Sequence, residues 1–545
     1  MNTIRNPILR GFNPDPSICR VGQDYYIATS TFEWFPGVQI HHSRDLATWR
    51  LAARPLQRPD QLDMRGDPDS CGVWAPDISH VDGRFHLLFT DVKRYGMTTT
   101  GETCSASLRD FRNYVVTAET VEGPWSAAVH LNGSGFDPSL FHDDDGRSWM
   151  LNMLWDHRPG RNRFAGIVIQ EYDRSALRLI GERRLIFKGT RLGLTEGPHL
   201  YRHGGWYYLL VAEGGTGWNH AVTVARSRSL FGPYEVDPQG VVLTSHDRKH
   251  ARLQRAGHAD LVETPDGETW MAYLCGRPLP ARGRCILGRE TAIQRVRWTD
   301  DGWLRTEAED ASPLDEVPAP ALPATEQVTE ASDDMFGGDR LAACFQWLRT
   351  PYPERLFSLA ARPGYLRLFG RDSVGSQFEQ SLVARRQQAF RIEATTRLEF
   401  EPDNFQQAAG LICYYNSHKF HYLHVTTDDE AGRHLRVMSA VPDESRKDAF
   451  TAPVPIPAGP IELRAAISFD TLRFAFKVDG AGDWQWLGEE FDASILSDEA
   501  TVPGLPNFTG NFIGLACQDM SGASQPADFA FFRYREEACV APTMP

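Results

Sequence analysis

Short apolar runs, separated by turns rich in Gly, Pro and Asp, repeat along the first three hundred residues. Asp15-Pro-Ser-Ile18 opens one run, Gly22 follows, and Tyr25-Tyr-Ile27 forms the next. The phrase returns at Ala75-Pro-Asp-Ile78, Asp137-Pro-Ser-Leu140, Gly197-Pro-His-Leu200 and His258-Ala-Asp-Leu261, each with a glycine and a second apolar run behind it. The first positions, 15, 75, 137, 197 and 258, step by 60, 62, 60 and 61. A strand, a Gly-containing turn and a second strand make the hairpin signal. Five evenly spaced copies predict a five-bladed β-propeller. The period is long for a blade, so loops must decorate one face. Candidates are Thr31–Gly37, Gly66–Ser70, Arg94–Asn113 and Gly276–Thr291.

From Ser312 to Ser332 the chain takes on Pro-rich linker composition. Alternating polar and apolar runs then resume at Ser381–Phe400, Leu411–Thr427, Ile461–Val478 and Ala527–Tyr534, with period two and no helical period. That pattern predicts a β-sandwich. The expected fold is therefore all-β: a propeller over 1–311, a linker over 312–332 and a lectin-like sandwich over 333–545.

Equivalent positions of propeller blades face the central axis at one end. Here they hold Asp15, Ala75, Asp137, Gly197 and His258, with Trp74 and Glu196 one residue earlier in their blades. Three carboxylates from three blades, with a histidine, thus converge on one mouth. A single Asp-Pro reads most simply as a turn cap, but three carboxylates in one register do not. Crowded carboxylates cannot all keep ordinary pKa values, which separates acid from base roles. Two such groups flanking a small pocket are the equipment of a glycoside hydrolase.

Composition narrows the partners. The chain has 545 residues, 41% hydrophobic, with a net charge of −14 and no basic run. Nucleic acid and anionic membrane are poor partners for such a surface, and a neutral substrate suits it. The nine cysteines are scattered, odd in number and without a CxxC pair, which argues against a disulfide framework or a zinc site. Met1-Asn-Thr-Ile-Arg-Asn-Pro7 carries no apolar leader, and no stretch approaches a membrane span. A reduced, cytoplasmic location is expected.

Gly11-Phe-Asn-Pro-Asp15-Pro-Ser, Val73-Trp-Ala-Pro-Asp77, Gly135-Phe-Asp137-Pro-Ser-Leu-Phe and Thr195-Glu196-Gly-Pro-His-Leu resemble the motifs of glycoside hydrolase family 43, most closely its two-domain β-xylosidases. The likeness covers nearly the whole chain. It implies hydrolysis with inversion, Asp15 as general base, Glu196 as general acid and Asp137 as the carboxylate that orients the acid and tunes its pKa. Inversion needs room for a water, with acid and base about 6.5–9.5 Å apart. The resemblance also implies substrate contacts from His258 and from Arg289, whose guanidinium can fork onto two hydroxyls. In some relatives the position of His258 touches a calcium ion or its water on the axis; no clustered oxygen cage is evident in the sequence, and no cofactor is required. Phe32, Phe35, Trp74 and Trp155 are expected to offer flat platforms to the sugar, with Ala75 and Thr216 completing the substrate-binding set. Phe508, in Pro506-Asn-Phe-Thr-Gly510, matches a loop that reaches from the sandwich to the propeller mouth. A closed subsite would favour removal of one sugar from a chain end.

The expected activity is release of D-xylose from non-reducing ends of β-1,4-xylo-oligosaccharides, by an enzyme that resembles dimers or tetramers of its kind. α-L-Arabinofuranosidase is the nearest rival, alone or as a second activity. A non-catalytic sugar-binding propeller is the rival from another class, and a carbohydrate-binding role competes for the sandwich.

Overall fold

In a computed structural model, which describes residues 3–95, 108–280, 283–308, 310–324, 332–442, 449–478, 482–501 and 505–537, the repeats form five four-stranded antiparallel blades. The innermost strands are Ser17–Val21, Gly72–Val81, Ser139–His142, Glu196–His203 and Gln254–Glu263. Each turns back into its neighbour at the repeated glycine. Gly22, Gly83, Gly146, Gly205 and Gly267 all have φ between 63° and 84°, a left-handed turn that residues with a Cβ adopt at a cost. This is why the glycine recurs in every copy.

The ring closes without a shared strand. Thr3–Arg5 pairs with Glu316–Pro318, inside the stretch of linker composition. The Asn6 side chain donates to the Ile293 and Leu314 carbonyls and accepts from the Ile293 N–H. Asn6 thus straps the start of the chain to the fifth blade.

The second half is a two-sheet sandwich, and its core clusters Leu411, Val425, Leu463, Phe474, Leu515 and Phe529 between the sheets. Among the described residues only single 3-10 turns at Pro353–Arg355 and Ala493–Ile495 interrupt the strands. No described helix is long and apolar enough to cross a membrane. The two halves share a sheet. Trp34–Phe35, in the expected Thr31–Gly37 loop, forms an edge strand of the larger sandwich sheet, Phe35 opposite Trp347 and Trp34 opposite Leu348. Trp34 stacks on Phe512 with centroids 3.7 Å apart. Arg349 of the sandwich is fully buried and pairs with Asp69 at 2.7 Å.

A further loop reading changes. Asp110–Ala118 is a strand of the second blade, so only part of Arg94–Asn113 is available as loop, and 96–107 lies outside the described residues. Of the cysteines, Cys104 and Cys539 also lie outside them, while Cys19, Cys71, Cys275, Cys285, Cys413 and Cys517 are free thiols.

Candidate active site

The five axial positions share one unusual backbone state. Asp15, Ala75, Asp137, Gly197 and His258 have φ of 55°, 28°, 54°, 55° and 46°. The left-handed region is costly for L-residues and least so for Gly and Asp. Such strain, repeated at five related places, marks a site. Two residues further along each strand come Ser17, Asp77, Ser139, His199 and Asp260, which fill the axis below.

In the upper layer each carboxylate has a defined support. Asp15 is 5% exposed. Its Oδ2 accepts from Ser30 Oγ at 2.7 Å, and Ser30 Oγ accepts the Ala75 N–H at 2.7 Å. Its Oδ1 accepts from Arg289 Nη1 at 3.0 Å. Asp137 is buried and accepts the Gly197 N–H at 2.9 Å. Burial and the nearby Asp15 charge push its carboxyl well above the usual carboxylate range, against the Gly197 N–H and Arg289. Glu196 opens the innermost strand of the fourth blade and keeps partial exposure to the pocket. Burial, then the charges of Asp137 and Asp15, push it well above its ordinary value, with Arg289 opposing. A carboxyl so placed keeps its proton to higher pH than an ordinary glutamate, as a general acid requires.

The loop before Glu196 is tied down by a residue that the sequence did not single out. Fully buried Glu213 accepts from Thr190 N, Thr190 Oγ1 and Thr195 Oγ1 at 2.7 Å and from Thr223 Oγ1 at 2.8 Å. His258 sits with Nδ1 3.8 Å from Asp15 Oδ1. Burial lowers its pKa to about 4 despite Asp15, so it is neutral at pH 7. A Cβ on Gly197 would meet its ring at 3.1 Å, which accounts for glycine at the fourth axial position. His220, also buried and lowered to about 3 by burial, is a second neutral imidazole on the wall.

Asp15, Asp137, Glu196, Thr216, His220, His258, Arg289, Phe32, Trp74, Tyr95, Phe136 and Phe508 line one narrow pocket, with about 60 Å³ of space open to water-sized molecules. Arg289 Nη1 also reaches Thr216 Oγ1 at 3.3 Å, and Nη2 donates to the Phe508 carbonyl at 2.7 Å. Phe508 comes from the sandwich, anchored by its N–H to Ser70 Oγ at 3.1 Å. Its ring lies 5.4 Å from Trp74 and 6.2 Å from Phe32. A wider vestibule shares Tyr95, Thr216 and Phe508 with this pocket and adds Trp218 and Arg255.

Three expected substrate contacts fall elsewhere. Phe35 is buried in a core between the first two blades and meets Trp347 at 5.7 Å, because its edge strand turns it away from the mouth. Trp155 stands behind Tyr95, 6.1 Å away, and buttresses the wall from outside. Ala75 acts through its backbone, holding Ser30 against Asp15. Of the residues that were missed, Phe136 had a signal: it precedes Asp137 as Trp74 precedes Ala75 and Glu196 precedes Gly197. Tyr95, His220, Ser30 and Glu213 carry no repeat signature.

The lower layer gathers side chains of the kind that ligate cations. Asp77, His199 and Asp260 bring ligand atoms within 4.8 Å of one another. Asp260 already accepts from Ile18 N, Tyr201 OH and Leu261 N, Asp77 from Leu140 N, and the one Ser17 hydroxyl hydrogen lies between them, 2.9 Å from Asp260 and 3.2 Å from Asp77. Calcium takes six to eight oxygen ligands, and these are engaged by donors. The trio fits a hydrogen-bonded plug rather than a calcium cage.

Residues 4–304 match the family model for glycosyl hydrolases family 43, and residues 333–535 match that for the beta xylosidase C-terminal concanavalin A-like domain. The chain is 51% identical over 543 residues to xylosidase/arabinosidase 43B of Humicola insolens, covering 98% of each. It is 48% identical to a beta-xylosidase of Bacillus subtilis (strain 168), covering 98% of this chain and all of the other. The crystal structure of xylan beta-1,4-xylosidase from Bacillus halodurans C-125 superposes with a TM-score of 0.93 at 50% identity, over 98% of this chain and 100% of that one.

Proposed function

Since this chain belongs to the glycosyl hydrolases of family 43, we propose that it is an exo-acting β-xylosidase that removes xylose from the non-reducing ends of β-1,4-xylo-oligosaccharides with inversion. The observation that carries the reading is the trio of carboxyls from three blades in one pocket, roofed by Phe508 from the second domain. Asp15 takes a proton from water as the water oxygen bonds to the anomeric carbon. The glycosidic carbon–oxygen bond breaks on the opposite face, and Glu196 gives its proton to the leaving oxygen. Asp137 keeps Glu196 protonated until then. Arg289, with Nη1 on Asp15 and Nη2 beside Phe508, is placed to grip sugar hydroxyls while it holds the base. Neutral His258 and His220 offer further hydrogen bonds, and Phe32 and Trp74 offer apolar faces. None of these steps draws on a metal ion. The Phe508 roof narrows the pocket, which supports entry of a chain by its end and hence an exo mode.

A second activity on α-L-arabinofuranosides is favoured by one observation: a relative at 51% identity is named for both. Matched 4-nitrophenyl β-D-xylopyranoside and α-L-arabinofuranoside separate the readings. The xyloside is expected to give the larger kcat/KM. The reverse order would make the enzyme an arabinofuranosidase, and cleavage of neither would leave a sugar-binding propeller.

We place the enzyme in the cytoplasm, where its free thiols suit a reducing compartment, and take it to assemble as a dimer or tetramer. Phe405, Phe450 and Met520 crowd one open face of the sandwich at 72%, 51% and 52% exposure, apolar surface of the kind that copies of a chain cover. Light scattering of the eluting protein would give a monomer mass if this is wrong.

A further inference from the structure

Behind Arg289 lies a carboxylate that belongs to the other domain. Asp498 follows the turn Ala493–Ile495 of the sandwich, is 5% exposed, and reaches into the propeller's wall. Its Oδ1 accepts from Tyr415 OH at 2.6 Å. Its Oδ2 accepts from Arg255 Nη2 at 3.2 Å and lies 3.7 Å from Arg289 Nε. That Nε is buried and has no hydrogen-bond partner, so Asp498 is the charge it faces. The carboxylate is held on every side. Lys419 Nζ, 3.6 Å from the Tyr415 ring centroid, donates to the carbonyls of Ser497 and Ala500. Glu499 takes Arg255 Nη1 at 2.7 Å and the Cys285 N–H at 2.9 Å. Tyr415 OH also accepts the Thr509 N–H, next to Phe508.

We infer that Asp498 is a positioning residue for the reaction, supplied by the sandwich: its charge sets the guanidinium of Arg289 so that Nη1 meets Asp15 and Nη2 meets the Phe508 carbonyl at the pocket's roof. The inference rests on the reading of Asp15 and Glu196 as base and acid. Burying two arginines beside the acid and base is costly unless counter-charges accompany them. Glu499 answers Arg255, and Asp498, shared between both arginines, restrains Arg289. Without it, Arg289 would be held only from its Nη side, by Asp15, Thr216 and Phe508, and its unbalanced positive field would act on Glu196. The groups facing Asp498 are Arg255, Arg289, Glu499, Tyr415, Lys419 and Cys285. Phe508 and Asp498 therefore make the second domain part of both the shape and the charge of the site.

The test is a double-mutant cycle of Asp498→Asn and Arg289→Gln, assayed on whichever nitrophenyl glycoside the unaltered enzyme cleaves. Asp498→Asn alone is expected to lower kcat/KM roughly tenfold, inside the usual range for coupled neighbours. It should also move the alkaline limb of the pH profile to lower pH, because an unshielded Arg289 eases proton loss from Glu196. In the Arg289→Gln background both effects should vanish, whereas any effect running through Lys419 would persist. If Asp498→Asn does not fold, Asp498→Glu is run through the same cycle. Equal losses in both backgrounds, or an unmoved alkaline limb, would overturn the inference while leaving the xylosidase reading standing. An unaltered enzyme that cleaves neither glycoside would sink that reading, and the inference with it.

Discussion

The propeller axis carries two polar layers two residues apart, and they have opposite chemistry. In the lower layer, Asp260 is met by three donors and Asp77 by one, with the Ser17 hydroxyl shared between them, and these bonds tie neighbouring blades together. In the upper layer, Asp15 accepts from Ser30 and Arg289, Asp137 accepts one backbone N–H, and Glu196 faces the pocket with its pKa raised by burial and by the neighbouring carboxylates. Both layers hold buried carboxylates from several blades. What separates structure from chemistry is where the carboxyls face: the upper trio lines the pocket, whereas the lower pair is packed against the strands it ties together.

Breaking the upper layer should cost most. Asp15→Asn and Glu196→Gln are each expected to lower kcat on xylobiose by about 10²–10⁴, the share that a positioned base or acid supplies. Steady-state kinetics on the natural substrate measures this. Either variant at full rate would remove that residue from its role.

Asp137→Asn should cost less, and its signature is in pH. The negative charge and crowding that raise Glu196 are reduced, so the alkaline limb of kcat/KM is expected to move to lower pH. Stability should move the other way. Asp137 and Glu196 have folded pKa values above their ordinary ones. The folded state therefore holds more protons, and stability falls as pH rises from the ordinary carboxylate range toward those raised values. Asp137→Asn removes part of that loss, so its Tm should exceed that of the unaltered enzyme at alkaline pH and match it more closely in acid.

The smallest catalytic effect is expected in the lower layer. Asp260→Asn puts an amide NH₂ against donors that need an acceptor, at a cost of about 1–3 kcal/mol in stability. The pH profile of the folded fraction should stay where it is. Denaturant unfolding beside a pH–rate profile would show both. A shifted profile would mean that the plug reaches the chemistry.

Much of this layering could be read from the sequence, because period and position carry it. The even spacing of Asp15, Ala75, Asp137, Gly197 and His258 places them on one ring, and strand alternation places Ser17, Asp77, Ser139, His199 and Asp260 on the next. Phe136 was legible by the same rule and was overlooked. Other parts lie outside any local rule. Phe35 turns away because its strand joins a sheet whose next member, Gln346–Leu348, comes some three hundred residues later. Ser30, Glu213 and Asp498 act through partners distant in sequence or outside the repeat, and hydrogen bonds of that kind leave no periodic trace. The left-handed backbone at all five axial residues is likewise invisible until the blades are assembled, although Asp and Gly at three of those positions agree with it.

The most direct test of the central claim is proton NMR of xylobiose hydrolysis at early times, before mutarotation. Water activated by Asp15 and attacking opposite the bond that Glu196 protonates must release α-xylose first. First release of β-xylose would mean retention through a covalent intermediate, and the assignment of Asp15 as base and Glu196 as acid would be contradicted.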